Sequence, residues 1–530
     1  MALTWELSGV KENGTLRREK PVPCAGLRMN FLPFTIYLSF AGALLTWIVG
    51  TRSAAMARWV ALAFAVGGAL IALFAAFNFM PAADGEPLTL ARASWFSFAK
   101  YHLAVDGLSL VLVLLTGVAA TAGVLFSWNV AHRTGDFFAL FLVLIGGVYG
   151  VFLSADAFLF FVFYEIAIVP KYFLIAVWGS DSREYGAMKL VLYSFAGSAL
   201  VMAGLVWAWA ASGGGSFDLT AFIAQTRLLP AEVQTGAFAL VFGGFAVLAG
   251  MFPFHTWAPT GHVAAPTGAS MLLAGVVMKL GAYGCLRVAL PAFPEGFANL
   301  QSVIAVLAVA GILYAGLAAL VQNDFKFVIG YSSVSHMGFV LLGIAAATPL
   351  ALCGAVLQMF SHGIVAGLLF AVVGRMVYER THTRDLAELG TWHLARLMPF
   401  AAVVFVLAGL ASIGAPGFSG FPAEFSILAG TWQHSPLWAL LAAVGIPIAA
   451  AFTLRVVRAA FFGQPNSDAS AGAPIERHLP EPVTLPEKVG AALLIGASVI
   501  VGICPGLLID WIVPALASPL MQISTQGGVR

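Results

Sequence analysis

Apolar stretches close to 20 residues long recur from Leu32 almost to the end of this 530-residue chain. Each can cross a hydrocarbon core of roughly 30 Å at 1.5 Å per helical residue. Only 9% of the residues are charged and 60% are hydrophobic, against roughly 25% charged in soluble domains. A soluble enzyme is excluded. A transmembrane β-barrel is excluded as well, because barrel strands alternate in hydrophobicity instead of running apolar throughout. The fold class read from this pattern is all-α, a polytopic helical membrane protein.

Fourteen candidate spans lie near 32–50, 57–77, 104–127, 136–154, 156–179, 186–211, 237–254, 263–289, 300–321, 325–346, 351–378, 397–430, 436–461 and 489–512. An even number puts both termini on one side. Lys and Arg concentrate in the odd-numbered loops and their flanks, among them Arg52, Arg58, Arg183, Lys189, Arg380, Arg384, Arg455 and Lys488. The even loops carry only Arg92, Lys100, Arg227 and Arg287. The excess of positive charge marks the cytoplasmic side, so both termini are expected outside. Residues 1–28 oppose this with Lys11, Arg17, Arg18, Lys20 and Arg28. Either translation starts at Met29 or a basic tail is translocated. The loop from Arg455 to Lys488 reads as a cytoplasmic connector partly lying on the membrane surface, or as a disordered loop.

Two spans are interrupted, the seventh at Met251-Phe-Pro-Phe-His255 and the twelfth at Gly414-Ala-Pro-Gly417. Broken helices in matching places of two halves point to inverted repeats. The expected organisation is helices one to three over 29–128, a first repeat of helices four to eight over 129–290 and a second of helices nine to thirteen over 291–462. Connector and helix fourteen follow over 463–530. Each broken helix then stands fourth in its unit. Backbone freed at bilayer depth is tolerated only beside protein or a wet cavity.

Ionisable side chains inside a bilayer are costly and therefore candidate functional sites. Glu165 lies mid-span with Lys171 as its only charged company on that helix; the bland alternative is a structural ion pair. Lys279 is too deep to snorkel easily to the interface, with a carbonyl at the helix break as the alternative partner. Lys326 and His336 share the tenth span, about 15 Å apart along its axis, a distance suited to a water-bridged relay. Lys326 also suits a headgroup anchor, and His336 a plain interhelical hydrogen bond. Glu424 follows the second break and either carries protons or caps freed amides. His255, His262 and His362 suit proton passage and structural hydrogen bonding equally. This sparse line of Glu, Lys and His has the constitution of a proton or cation pathway.

Cofactor signals are missing. Cys24, Cys285, Cys353 and Cys504 form no CxxC pair, so no cluster or zinc site is indicated. There is no dinucleotide fingerprint or phosphate loop, and no basic run that would suit nucleic acid.

Several strings carry a resemblance. Phe254-His-Thr-Trp257, His262-Val-Ala-Ala-Pro-Thr267, Leu273 to Gly284, Gln322 to Gly338, Tyr378-Glu-Arg-Thr-His-Thr-Arg-Asp385 and Gly414 to Phe425 resemble the antiporter-like membrane subunits of respiratory complex I. The Tyr378 string is most similar to the subunit M (chain 4) branch. The likeness spans roughly residues 100–460. It implies a fourteen-helix fold with inverted repeats in a bacterial inner membrane, and proton translocation within a hetero-oligomer. The implied partners are the other membrane-arm subunits, further antiporter-like ones included, and the lipid bilayer. NADH, FMN, iron–sulfur clusters and quinone are implied for partner subunits, with no cofactor in this chain.

By motif, Glu165 is similar to the family's fifth-helix glutamate, Lys279 to its central lysine, and His336 to the histidine linking its half-channels, with Lys326 beside it. Glu424 is similar to its terminal proton site. The family usually has a lysine on helix seven, where Leu248 stands here, and acids where Thr260 and Ala264 stand. Lys171 occupies a position that is usually apolar. Lys171 is therefore expected to replace the missing partner of Glu165, although six helical residues rotate the two about 240° apart. The competing readings are a subunit of a multisubunit sodium/proton antiporter or membrane-bound hydrogenase, and a structural subunit with impaired pumping.

Overall fold

The computed structural model describes residues 29–82, 84–463 and 481–522. The basic segment 1–28 and most of the connector lie outside the described residues. Among the described residues, twelve helices are long and apolar enough to cross a membrane. In chain order the helices are α1 Phe34–Gly50, α2 Ala54–Asn78, α3 Gly107–Phe126, α4 Thr134–Leu153, α5 Ala157–Trp178 and α6 Arg183–Ala211. Then come α7 Ala231–Ala249, α8 Thr267–Ala292, α9 Pro294–Val321, α10 Phe325–Ala346 and α11 Pro349–Thr381. The chain ends with α12 Pro399–Ser412, α13 Gly420–His434, α14 Pro436–Phe461, α15 Leu485–Ile503 and α16 Gly506–Leu516. The first predicted stretch falls on the shorter helix α1, the twelfth divides into α12 and α13, and the fourteenth divides into α15 and α16. An antiparallel hairpin, β1 Leu88–Ser94 and β2 Lys100–Val105, occupies the second loop. Strand β1 buries none of its residues, whereas β2 buries His102, Leu103, Ala104 and Val105.

The two breaks are where the sequence places them. Helix α7 stops at Gly250, which takes φ +81°, a conformation that suits a residue without Cβ. The chain restarts as a short helix, Trp257–Ala264, and the Trp257 indole donates to the freed Val247 carbonyl at 2.8 Å. Helix α12 stops before Gly414 and Gly417, at φ +71° and +95°, and α13 resumes the path.

The two units show their inversion in a pair of matching clasps. In one, Ala157 N donates to Phe217 O (2.7 Å) and Leu219 N to Ala155 O (2.9 Å), joining Asp156 to Asp218. In the other, Phe325 N donates to Arg384 O (2.8 Å) and Leu386 N to Asn323 O (2.9 Å), joining Asp324 to Asp385. The first clasp lies against the hairpin, since Ala155 N donates to His102 O. The second lies at the opposite end, beside the start of α8 and the end of α3. There Arg384 NH1 donates to Val263 O, and Glu379 accepts from Thr267 and Asn129.

Helices α8 and α11 are buried along their whole apolar windows, with α10 and α3 nearly so. They form the interior. Around them, α1, α2, α14 and α15 expose large apolar side chains such as Trp59, Phe77 and Leu454, the composition of a lipid-facing or partner-facing wall.

Candidate functional site

Two close helix contacts set up the site. A Cβ on Gly363 of α11 would lie 2.6 Å from Gly275 O of α8, so glycine on both sides lets the two backbones touch. Helix α8 also contains two π-helical segments, Leu273–Val277 and Cys285–Ala289, on either side of Met278–Gly284. Such wide turns recur at functional sites because they leave carbonyls without their usual helical donor. Lys279 uses one, donating from Nζ to the Ala274 carbonyl.

Lys279 Nζ also lies 2.8 Å from His362 Nδ1. The His362 and His336 rings follow, with centroids 5.6 Å apart. His336 Nδ1 is 3.2 Å from Glu424 Oε1, and its Nε2 is 3.1 Å from Ser412 Oγ at the end of α12. Gln358 Nε2 donates to the same Glu424 oxygen at 3.2 Å. A Cβ at position 414 would come within 2.7 Å of Glu424 Oε2, so the glycine at the break admits the carboxylate. Lys279, His362, His336 and Glu424 thus form one line drawn from α8, α11, α10 and α13. All four are buried. Ser332, Gln358 and Ser412 join the histidines and Glu424 around a polar cavity with room for about one water molecule.

The sequence singled out the two lysine and glutamate ends and His336, and left His362 open between relay and structural bonding. Gln358 and Ser412 were missed. Gln358 stands one turn before His362 and so shares its face of α11, which is a signal visible in the sequence once His362 is placed.

The remaining candidates stand apart from this line. Lys326 is buried and donates from Nζ to Ala265 O at 3.2 Å, with the Tyr378 ring centroid 5.7 Å away. It makes no contact with His336 among the described residues. His262 is fully buried between Trp257 and Phe370, and neither ring nitrogen finds a hydrogen-bond partner among the described residues. His255 packs among Phe252, Tyr314 and Tyr331, and neither of its ring nitrogens finds a hydrogen-bond partner among the described residues.

Glu165 has Ser198 of α6 beside its carboxylate, and its Oε1 is unpartnered. Lys171 is buried, and its ammonium finds no hydrogen-bond partner among the described residues. The two charges are near enough to interact through space, and no ion pair within 4.0 Å joins them among the described residues. The expected direct replacement contact is therefore absent, as the rotation between the two positions requires. Leu248 is buried against α8, where a Cβ on Gly281 would strike the Phe245 carbonyl and the Ala249 amide.

At the end of the bundle opposite the hairpin, Glu487 of α15 accepts from Arg375 Nε (2.6 Å) and Arg380 NH2 (2.9 Å). Arg375 NH1 also reaches Glu379 at 2.6 Å. Glu379 lines a cavity of about 220 Å³ with Ser127, Asn129, His132 and Thr267, where α3 ends and α8 begins. No group of three or more potential metal ligands occurs among the described residues.

Comparison with known proteins agrees with this architecture. The family model described as "NADH:quinone oxidoreductase/Mrp antiporter, TM" matches residues 154–449. NADH-quinone oxidoreductase subunit M of Rhodobacter capsulatus is 36% identical over 502 residues, covering 92% of this chain and 96% of that protein. NAD(P)H-quinone oxidoreductase chain 4 1 of Synechococcus sp. (strain JA-2-3B'a(2-13)) is 41% identical over 418 residues, covering 77% of this chain and 78% of its own. Among solved structures, a chain of respiratory complex I from Thermus thermophilus superposes with a TM-score of 0.82 at 27% identity, covering 93% of this chain and 100% of that chain. A chain of the Mrp complex from Dietzia sp. shares the fold at 0.82 and 21% identity, covering 94% and 98%.

Proposed function

The chain belongs to the NADH:quinone oxidoreductase/Mrp antiporter membrane-subunit family, and from that premise we propose that it carries protons in the membrane arm of an NADH:quinone oxidoreductase. The observation that carries this reading is the buried line Lys279–His362–His336–Glu424, with one gap between the two histidine rings. A proton on the Lys279 ammonium can pass to His362 Nδ1 across 2.8 Å. The opposite ring nitrogen of His362 has no protein partner among the described residues, so one water in the polar cavity suffices to hand a proton on to His336. His336 Nδ1 faces Glu424, where Gln358 and Ser412 hold imidazole and carboxylate in register. Buried away from lipid, each group changes charge without exposing it to hydrocarbon.

NADH, flavin, iron–sulfur clusters and quinone are assigned to partner subunits. The chain sits among other membrane-arm subunits in a bacterial inner membrane, with the hairpin end and both termini outside, the orientation that the Lys and Arg of the loops favour and the basic segment 1–28 opposes. Proton uptake from the cytoplasm starts at the Glu379 cavity. The repeats are read as 129–290 and 291–462. A second reading rests on the Glu165 region. With Leu248 apolar and Lys171 unpaired, the first unit lacks a charge pair, which favours weakened uptake through it. The match to the Mrp chain is one of fold alone and does not favour a sodium/proton antiporter.

The test is the intact complex, purified through this chain in mild detergent and reconstituted in vesicles. Lys279→Met is expected to lower the protons moved per NADH oxidised. Recovery of this chain without NADH-oxidising partners, or unchanged pumping in Lys279→Met, would sink the reading. Lys171→Met separates the second reading: a further fall in pumping shows that the unpaired lysine still serves the uptake side.

A further inference from the structure

Helix α8 carries a second set of polar groups, on the hairpin side of Lys279. Tyr283 and Arg287 follow Lys279 at intervals of four residues, each about 6 Å further along the axis and on neighbouring faces. The Tyr283 hydroxyl is buried and donates to Phe152 O at 3.3 Å. Arg287 is buried in the second π-helical segment, with NH1 2.6 Å from Asp106 Oδ2 and side-chain exposures of only 4% and 2% for the pair. Its Nε has no partner among the described residues. Asp106 ends the hairpin, and its other oxygen accepts from Ser109 N (2.9 Å) and Ser109 Oγ (3.1 Å). Helix α16 closes over this point, since a Cβ on Gly107 would fall 1.8 Å from Trp511 O.

We propose that the Arg287–Asp106 pair is a seal that prevents protons on Lys279 from leaving along α8 toward the hairpin face, and so commits them to His362. The proposal rests on the proton line described above. Lys279 could lose its proton in two directions. One runs across the bundle through His362. The other would run along α8 toward the hairpin, past Tyr283, whose hydroxyl can both give and accept a proton and faces the Phe152 carbonyl among aromatic rings. A guanidinium cannot give up its proton in a protein, so a relay stops at Arg287. A fixed cation inside a narrow polar route also repels protons and other cations, as arginine does in selective pores. Asp106 offsets the cost of burying that cation, and both its oxygens are already occupied. A simple clamp between α3 and α8 would not need an ion pair. Apolar residues of similar volume hold helices together as well or better.

The experiment uses the intact complex in vesicles, without NADH, and follows the decay of an imposed pH gradient. Asp106→Asn combined with Arg287→Gln removes both charges together and leaves no lone ion buried. The gradient is expected to collapse at least about tenfold faster than in wild type, and adding Lys279→Met is expected to restore tightness. A decay equal to wild type overturns the proposal, and so does a fast decay that survives Lys279→Met. If the neutral pair prevents assembly, Arg287→Lys decides. It keeps the charge and the partner, but a buried lysine can shed its proton. Leak is then expected to grow as the pH is raised from about 6 to about 9. Vesicles that stay as tight as wild type across that range overturn the seal. Coupled pumping by Lys279→Met, read in the same vesicles with NADH, reports separately on the underlying proton line.

Discussion

Lys279 and His362, 83 residues apart in the chain, meet at 2.8 Å because their helices touch through glycine. The contact joins the last helix of the first unit to the second unit. In the proposed proton line it makes His362 the link between the two halves.

His362→Gln keeps a hydrogen-bonding side chain of similar reach and removes the titratable ring. It is expected to lower protons pumped per NADH, with transfer past this point slowed by about 100-fold or more. Quinone-linked NADH oxidation in uncoupled vesicles serves as the comparison. Unchanged pumping stoichiometry would show that protons bypass the histidine.

Gly363→Ala tests the same contact without touching a titratable group. The added methyl would meet Gly275 O at 2.6 Å, so α11 must move away from α8. Overpacking of this kind costs about 1–3 kcal/mol. The expected outcome is an assembled complex with pumping impaired like that of His362→Gln. Full pumping would mean the line tolerates a looser approach.

Glu487 holds two arginines, Arg375 and Arg380, from a side chain only 1% exposed. Glu487→Ala leaves Arg380 without a carboxylate and Arg375 with Glu379 alone, a change worth about 3–5 kcal/mol when such a pair is buried. Helix α15 is expected to detach from α11, lowering the thermal midpoint and the yield of assembled complex. A thermal scan of the purified complex checks this, and a midpoint within a degree or so of wild type would refute it.

Asp218 anchors the hairpin outside the bilayer, accepting from Arg92 at 2.8 Å and facing His102 Nδ1 at 3.0 Å and Lys100 at 3.9 Å. Burial alone would raise its pKa. The bond to His102 and the positive charges of His102, Arg92 and Lys100 outweigh burial and hold the carboxyl below its ordinary value. A carboxylate lowered in this way stabilises the fold fully above its unfolded pKa of about 3.9. That stabilisation is lost as the pH falls through the lower folded value. Melting of the hairpin is therefore expected in acid below about pH 4, and Asp218→Asn should remove about 2 kcal/mol at neutral pH and flatten the acid dependence. Hydrogen exchange of β1 and β2 as a function of pH measures both effects. An unchanged acid profile in the variant would assign the transition to another group.

Much of this protein is local and so lies open in the sequence. A bilayer demands about 20 apolar residues for each crossing and satisfied backbone throughout. The spans, the two glycine–proline breaks and the rare mid-span charges Glu165, Lys279 and Glu424 are accordingly legible one residue at a time. Which of those charges meet is not local. His362 looks no different from His255 in the sequence, yet the Gly275–Gly363 contact brings one into the line and aromatic packing isolates the other. Lys171 has the right charge to serve Glu165 and lies near enough to interact through space, but no ion pair joins them among the described residues. Lys326 shares a helix with His336 and turns instead to the Ala265 carbonyl. Distances of 3 Å between helices depend on how several backbones pack, and that packing is summed over the whole bundle. Local chemistry, read residue by residue, makes this a multi-span membrane protein with a sparse set of ionisable groups within its spans; which of those groups touch depends on the packing of the whole bundle.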